Sequence, residues 1–209
     1  MSVQRFTVGR LSTNCYVVGE PGEEALIIDP GFENRSEFQE ISEFIENNFK
    51  SLKYIVNTHG HPDHTSGNGL VKNRFDAPIL IHELGAPKLR KTEGMIFGFE
   101  NKSPPADILL RDGDQVRFGR ITLKVIHTPG HTPGGMSLLG DNQVFTGDTL
   151  FKGSIGRTDL PGSSKRDMNR SLKVLADLSE DLKVYPGHGP DTTIGKEKKS
   201  NMFLRSVQS

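Results

Sequence analysis

The sequence of 209 residues is short of several features, and each shortage narrows the range of structures and functions. It has a single cysteine, Cys15, so an intramolecular disulfide is excluded and a reducing, cytoplasmic location is expected. Cys15 lies in an apolar run and is interpreted as a core residue. No apolar run approaches the ~18 residues of a membrane span, and the first residues lack the apolar segment of a secretory signal. We therefore expect no membrane association.

The chain also lacks an excess of charge of either sign. Its 26 basic residues balance its 26 acidic residues, and it has no dense basic stripe. Proteins that bind nucleic acid neutralise phosphates with clustered lysine and arginine, so we expect no nucleic-acid partner. A small molecule is the expected partner, and the sequence leaves the oligomeric state open.

Residues 58–64 carry three histidines and one aspartate at the spacing H-x-H-x-D-H. All four side chains are good ligands for a divalent cation such as zinc. The stretch follows a strand-like run, residues 53–57. It contains Pro62, which suits the first turn of a helix that residues 66–75 continue. The pattern therefore predicts a metal site where a strand ends and a helix begins.

The spacing within this motif favours two metal ions over one. In an extended run, His59 and His61 point to the same side of the chain. Asp63 and His64 are adjacent, so we expect their side chains to point in different directions. Three further candidate ligands, His131, Asp148 and His188, each follow a glycine at the end of a short strand-like run.

The apolar pattern predicts an α/β protein with two sheets packed face to face and helices outside, in one domain spanning residues 1–209. The clearest helix covers residues 36–49, where apolar side chains recur at spacings of three and four. Residues 90–106 lack a consistent period and are predicted to form a surface insertion. The remaining expected strands are residues 4–9, 14–19, 25–29, 79–82, 116–118, 121–127, 136–139, 143–146 and 183–185, and the remaining helices are residues 167–178 and 194–207.

The order of these ligands resembles the metallo-β-lactamase superfamily: H-x-H-x-D-H, then His131, Asp148 and His188. Residues 147–151, 156–159 and 185–189 are similar to the glyoxalase II-like, or hydroxyacylglutathione hydrolase-like, branch. The resemblance implies a four-layer αββα sandwich with two mixed sheets and two metal ions at one edge. Zinc is the expected metal, with iron and manganese as alternatives.

The resemblance also assigns the ligands. It implies a first metal held by His59, His61 and His131, a second held by Asp63, His64 and His188, and Asp148 as the bridge. Asp29 matches a carboxylate that supports a ligating histidine from behind, as such ligands require. Asp63 and Asp148 are the residues expected to take part in catalysis.

Two features distinguish the chain from full-length glyoxalase II enzymes. It resembles a short form without the C-terminal helical extension that helps to hold glutathione. Arg157 stands where longer relatives place a substrate-binding lysine, and it is predicted to bind an anionic group of the substrate. An ion pair between Arg157 and Asp159 is the alternative interpretation.

The resemblance implies a metal-dependent hydrolase of a small thioester of the hydroxyacylglutathione type, in which a hydroxide between two metals attacks the carbonyl carbon. An alternative is a persulfide dioxygenase with one iron held by His59, His131 and Asp148. A lactonase or phosphodiesterase on the same fold is a further alternative.

Overall fold

Two six-stranded sheets form the centre of the structure, a computed structural model that describes residues 1–90 and 103–207. The first sheet contains β1 (Ser2–Val8), β2 (Thr13–Gly19), β3 (Glu24–Ile28), β4 (Ser51–Asn57), β5 (Ile79–His82) and β6 (Ile108–Leu110), in that order. The β1–β2 and β2–β3 pairs are antiparallel, whereas the pairs from β3 to β6 are parallel. The first sheet is therefore mixed, as predicted.

The second sheet is built from the second half of the chain. It contains β7 (Gln115–Phe118), β8 (Ile121–His127), β9 (Met136–Leu139), β10 (Gln143–Gly147), β13 (Lys183–Pro186) and β14 (Thr192–Thr193), in the order β14-β13-β10-β9-β8-β7. Only the β10–β13 pair within this described sheet is parallel. Between β10 and β13 the chain forms a separate two-stranded hairpin, β11 (Leu150–Phe151) and β12 (Ser154–Ile155).

Seven helices flank the sheets within the described residues: α1 (Arg35–Asn48), α2 (Pro62–Thr65), α3 (Asn68–Phe75), α4 (Ala86–Arg90), α5 (Lys165–Ala176), α6 (Ile194–Ser200) and α7 (Met202–Ser206). The two longest begin at capping residues, since Asn34 accepts from the Glu37 amide and Ser164 accepts from the Asp167 amide. Such caps stabilise a helix by about 1 kcal/mol. None of the helices in residues 1–90 and 103–207 is long and apolar enough to cross a membrane.

Strand β2 shows why the fold has four layers. Its seven residues are all buried, because alternate side chains pack on opposite faces of the first sheet. Cys15 and Val17 join the cluster that contains residues of α1 and α3, so Cys15 is a core residue as expected. Tyr16 and Val18 join the cluster between the two sheets.

The far side of the second sheet is covered in the same way. Val144 on β10 and Val184 on β13 pack with Leu172 and Leu175 of α5 and with residues of α6 and α7. Between the sheets, the buried rings of Phe118 and Phe145 belong to the central cluster. Each fully buried large apolar side chain contributes about 1.5–3 kcal/mol. The predicted four-layer αββα sandwich is confirmed.

Two predicted helices are each divided in two. The helix expected after Pro62 ends at Thr65 and restarts at Asn68, because the Gly67 amide donates to the Pro30 carbonyl at 2.8 Å instead of to a carbonyl of the preceding turn. The helix expected over residues 194–207 breaks at Asn201, whose side chain caps α7 by accepting from the Phe203 amide.

The short elements β6, β11, β12, β14 and α4 were not predicted, because two to five residues carry too little periodicity to identify an element. The predicted surface insertion, residues 90–106, falls mostly on residues 91–102, which lie outside the described part of the chain.

Candidate metal centre

The predicted ligands lie on loops that leave the carboxyl ends of strands. His59, His61, Asp63 and His64 follow β4, whereas Asp148 follows β10. His131 lies on the β8–β9 loop, and His188 lies on the loop that follows β13. Main-chain hydrogen bonds across the two sheets, from the Met136 amide to the Thr58 carbonyl and from the Asn14 amide to the Gly187 carbonyl, align these loops. All seven predicted ligands therefore meet at one edge of the sandwich.

Three histidine rings form the first group. The Nδ1 atom of His61 lies 3.0 Å from His59 Nε2 and 2.9 Å from His131 Nε2. Their ligand atoms lie within 4.8 Å of one another, and all three residues are buried. The group matches the set expected for the first metal.

Hydrogen bonds on the outer side of these rings fix where their protons lie. His131 Nδ1 lies 2.9 Å from the Arg157 carbonyl, which can only accept. His59 Nδ1 lies 3.2 Å from Thr58 Oγ1, whose proton goes to Asp29 Oδ2 at 2.6 Å. The outer nitrogens therefore carry the protons, and the Nε2 lone pairs of both rings point at each other and at His61.

The first group is held neutral by its surroundings. Burial and the neighbouring histidines keep the pKa of His59 well below its usual value. Burial and His131 lower the pKa of His61 to about 3. Neutral imidazoles whose ring nitrogens meet at one point form a site that a divalent cation can occupy.

The second group consists of Asp63, His64 and His188. Asp63 Oδ2 lies 3.4 Å from the Nε2 atoms of both histidines, and those two nitrogens are 3.3 Å apart. The expectation that Asp63 and His64 point in different directions was wrong. Both lie in the short helix α2, where the turn of the backbone brings their tips to the same point.

The protons of the second group are also fixed from outside. His64 Nδ1 lies 3.0 Å from Asp29 Oδ2, and His188 Nδ1 lies 3.1 Å from the Leu11 carbonyl. Each ring therefore keeps its Nδ1 proton on the outside and directs Nε2 to the interior of the group, where a metal ion would replace any proton on that nitrogen. The Asp63 carboxylate, which also accepts from Thr13 Oγ1 at 3.2 Å, adds negative charge there.

Asp148 lies between the two groups. Its Oδ1 is 3.4 Å from His64 Nε2, and its Oδ2 is 3.5 Å from His131 Nε2 and 3.6 Å from His188 Nε2. Oδ1 is buried and has no hydrogen-bond donor among residues 1–90 and 103–207. A buried carboxylate oxygen without a donor is costly, and a metal ion would satisfy it.

The charge around the second group also favours cations. Burial lowers the pKa of His64, but the carboxylates of Asp63, Asp148 and Asp29 outweigh that effect and raise it to about 10. In the metal-free protein His64 therefore carries a proton that these carboxylates stabilise, and a divalent cation would take the place of that positive charge. This donor set fits two divalent ions.

Asp29 supports both groups from behind. It is buried, adopts a left-handed conformation with φ of +50°, and accepts from the Thr58 amide at 2.7 Å. The Asp29 carboxylate is hydrogen-bonded directly to His64, and it is linked to His59 through the hydroxyl of Thr58. The sequence identified this carboxylate but missed the roles of Thr58, the Leu11 carbonyl and the Arg157 carbonyl, since a main-chain acceptor leaves no signal in residue type.

Gly187 allows the backbone to lie close to the side chains of Asp148 and His64. A Cβ atom at this position would collide with Asp148 Oδ1 and lie 2.9 Å from His64 Cε1. Only glycine therefore lets the backbone before His188 pass so close to the bridging carboxylate.

The family assignment rests on this arrangement and on comparison with known proteins. A family model described as the metallo-beta-lactamase superfamily matches residues 8–188. The chain belongs to the metallo-β-lactamase superfamily.

Two curated superfamily relatives match nearly the whole chain. A "Probable metallo-hydrolase YqgX" of Bacillus subtilis is 33% identical, with 98% of each chain covered. A "Hydroxyacylglutathione hydrolase GloC" of Haemophilus influenzae is also 33% identical, with 99% of each chain covered. The superfamily, the relatives and the histidine–aspartate cluster together make this chain a metallo-hydrolase.

Solved structures agree with this fold. The BLEG-1 B3 metallo-beta-lactamase superimposes with a TM-score of 0.87 at 33% identity, covering 97% of this chain and 99% of the other. TTHA1623, solved in a di-iron-bound form, gives a TM-score of 0.84 at 35% identity, covering 96% and 100%. ETHE1 from Myxococcus xanthus gives 0.79 at 28% identity, covering 100% and 91%.

In this metallo-β-lactamase superfamily chain, a cavity of about 360 Å³ opens beside the metal ligands. Five of its lining residues are metal ligands, namely His61, Asp63, His131, Asp148 and His188. The other lining residues are mostly apolar: Leu11, Pro62, Phe151, Ile155, Gly156, Arg157 and Leu160. A small molecule in this cavity would lie against ligands from both groups.

Arg157 lines the cavity, but its guanidinium is also bound to a neighbour. Its Nε and one terminal nitrogen donate to the two Asp159 carboxylate oxygens, each at 2.9 Å. The Asp159 carboxylate raises the pKa of Arg157, so the arginine stays charged. The ion pair considered from the sequence is therefore present, and both side chains are exposed.

Proposed function

We propose that this metallo-hydrolase cleaves small thioesters of the hydroxyacylglutathione type with two divalent metal ions. The observation that carries the proposal is the convergence of two groups of lone pairs on the Asp148 carboxylate, beside a cavity of substrate size. The proposed ligands are His59, His61 and His131 for one ion, Asp63, His64 and His188 for the other, and Asp148 for both.

The chemistry suits an acyl substrate. Two bound divalent ions supply an acidified water and a Lewis acid for a carbonyl oxygen. In the reaction, water adds to the acyl carbon, the C–S bond breaks, and the products are a carboxylate, a thiol and one proton released to solvent. A thioester suits this site because its thiolate leaving group is a soft ligand that zinc accepts.

The protein residues have separate roles in this proposal. Asp63 and Asp148 border both the ligand groups and the cavity, so they are placed to orient a water molecule next to the substrate. Asp29 keeps His64 and, through Thr58, His59 in the tautomers that present Nε2. The imidazoles direct ring nitrogens toward the centre and would serve there as metal ligands.

The comparison with the Haemophilus influenzae protein supports the thioester. That relative carries the name hydroxyacylglutathione hydrolase and matches this chain over nearly its full length. Arg157 supports an anionic substrate group, because an exposed guanidinium at the cavity can bind a carboxylate by two hydrogen bonds. In that case the substrate carboxylate would replace Asp159 as the partner.

A persulfide dioxygenase is the second candidate function. It is favoured by the similarity to ETHE1 from Myxococcus xanthus. The TTHA1623 structure also contains iron, but in a di-iron-bound form. Such an enzyme would need one iron on His59, His131 and Asp148. The convergence of His64, His188 and Asp63 in a second group argues for the hydrolase, because those lone pairs would then lack a cation.

Parallel assays separate the two functions. Protein prepared with zinc and protein prepared with iron would each be tested for thiol release from a hydroxyacylglutathione thioester and for oxygen uptake with glutathione persulfide. The proposal expects thiol release by the zinc form without oxygen uptake by either form. Oxygen uptake by the iron form, with no thioester cleavage by the zinc form, would replace the hydrolase with the dioxygenase.

A further inference from the structure

Four apolar side chains line the cavity together with the metal ligands. Leu11 comes from the turn between β1 and β2, Phe151 from β11, Ile155 from β12, and Leu160 from the loop before α5. The Phe151 ring meets the His188 ring edge-on at 6.0 Å. Residues from separate parts of the chain thus form one apolar wall, composed of Leu11, Phe151, Ile155 and Leu160.

This apolar wall is incompletely buried. Leu11 is 41% exposed, and the other three side chains are half-buried. Apolar surface that is left in water beside a polar centre gains free energy when a ligand covers it. The wall is therefore suited to hold an apolar part of the substrate.

Hydrogen bonds behind the wall hold its β11–β12 portion in place. The Asn201 side-chain amide donates to the Phe151 carbonyl at 3.3 Å and to the Ser154 carbonyl at 3.1 Å. Glu197, which is buried, accepts from the Gly153 amide at 2.7 Å and from Asn201 at 2.9 Å. The C-terminal helices thus fix the hairpin that carries Phe151 and Ile155.

The turn between β1 and β2, which carries Leu11, is also held by hydrogen bonds. Arg10 donates twice to Glu33 Oε2, at 2.8 and 2.6 Å, and the Arg10 amide donates to Glu33 Oε1 at 2.9 Å. On its other side, the Leu11 carbonyl accepts from His188. The wall is therefore preformed, and a ligand that covers it loses little to reorganisation.

The size of the cavity limits which part of a thioester it encloses. A cavity of about 360 Å³ lies near the lower end of the roughly 300–1,000 Å³ that small-molecule sites occupy. It has room for an acyl chain beside the metal ligands, and its apolar lining favours that part of a thioester over the charged peptide of glutathione. The charged group at the cavity, Arg157, is exposed and can meet the thiol portion outside.

We infer that the apolar wall binds the acyl portion of the substrate, and that the preferred thioesters carry an unsubstituted apolar acyl chain of about four to six carbons. This inference rests on the proposed thioester hydrolysis but replaces the hydroxyacyl group of that proposal with an unsubstituted acyl chain. The reaction is unchanged: water adds to the acyl carbon, the C–S bond breaks, and a carboxylate, a thiol and a proton are formed.

The test compares acyl chains on one small neutral thiol, so that Arg157 has no anion to bind. The substrates are the acetyl, butanoyl, hexanoyl and 2-hydroxybutanoyl thioesters of N-acetylcysteamine, with the zinc-loaded protein. We expect kcat/KM to rise about fourfold per added methylene from acetyl to hexanoyl. The 2-hydroxybutanoyl thioester should fall below the butanoyl thioester, because its hydroxyl would be buried against carbon.

Two serine variants show whether the apolar wall is responsible. Leu11→Ser keeps the main-chain carbonyl that His188 uses and should reduce the gain per methylene to about twofold or less. Leu109→Ser is the matched control, since Leu109 is a 54% exposed leucine on β6 that does not line the cavity. It should leave the chain-length dependence unchanged.

A binding measurement gives a readout that is independent of turnover. Ketone analogues, in which a methylene replaces the thioester sulfur, would be titrated by calorimetry into the parent and both variants. Their Kd should fall with acyl length in parallel with the kinetic series, and Leu11→Ser should weaken that trend.

The results that would overturn the acyl subsite differ from those that would overturn the proposed hydrolase. Thioester cleavage with equal kcat/KM for all chain lengths, or with the hydroxylated substrate preferred, would overturn the apolar acyl subsite and leave the proposed hydrolase in place. No cleavage of any thioester by zinc-loaded protein would overturn the proposed function, and this substrate assignment with it.

Discussion

Replacement of Asp29 by asparagine tests the network that orients the ligands. The aspartate accepts three hydrogen bonds, from the Thr58 amide, Thr58 Oγ1 and His64 Nδ1. Asparagine has one carbonyl oxygen, so its amide nitrogen would face the hydroxyl and the His64 N–H. The hydroxyl can turn to accept, but His64 Nδ1 would meet a second donor.

The structure gives a magnitude for this change. A hydrogen bond to a charged group contributes about 1.5–3 kcal/mol, and a buried donor left without an acceptor adds to the loss. We expect Asp29→Asn to lower the free energy of unfolding of the metal-free protein by about 2–4 kcal/mol. Zinc affinity should fall by about 10–100-fold, because His64 and His59 would no longer be held in the ligating tautomers.

Urea unfolding of the metal-free protein and chelator competition for zinc measure these two effects. Asp76→Asn is the matched control, since Asp76 has a left-handed φ of +53°, close to the +50° of Asp29, but is exposed. Asparagine tolerates this conformation, so the control should lie within about 0.5 kcal/mol of the parent. If Asp29→Asn matches the control in both assays, the proposed role of the network is refuted.

Three further predictions concern the metal bridge, the cavity and a remote histidine pair. Asp148→Asn should reduce metal content and hydrolysis more than His64→Asn, because Asp148 faces both groups; equal losses in metal analysis and turnover would contradict the bridge. Arg157→Ala should lower kcat/KM for an anionic thioester about 10–100-fold, mainly through KM, and leave a neutral thioester much less affected. His82 is stacked on His127, and burial, aided by His127, lowers its pKa. The folded protein therefore binds fewer protons there than the unfolded chain, so stability should fall as the pH drops below about 6.5. His82→Phe should weaken that dependence in unfolding titrations, and an unchanged pH profile would refute the assignment.

Periodicity identified the elements long enough to show it. The helix around Ile41 and Ile45 and the strands on either side of the central cluster follow from spacings of three and four or from alternation. The breaks at Gly67 and Asn201 did not follow, because they depend on what each residue meets in the folded protein. A glycine or asparagine in a helical pattern does not by itself reveal such a contact.

The candidate ligands were identifiable because their residue types are scarce and specialised, and because each ligand or cluster follows a short strand-like run. Their relative orientation was harder to predict, as the shared direction of Asp63 and His64 shows. The acceptors behind His131 and His188 are main-chain carbonyls, which every residue possesses. The apolar wall combines distant residues such as Leu11 and Leu160, whose proximity only the fold determines.

Metal stoichiometry tests the central claim most directly. The protein would be loaded with zinc, freed of excess metal and measured for zinc per chain, beside the variant His188→Asn, which alters only the second group. The account predicts two zinc ions per chain for the parent and about one for the variant. A parent protein that saturates at one zinc ion, with the variant unchanged, would contradict the two-metal site.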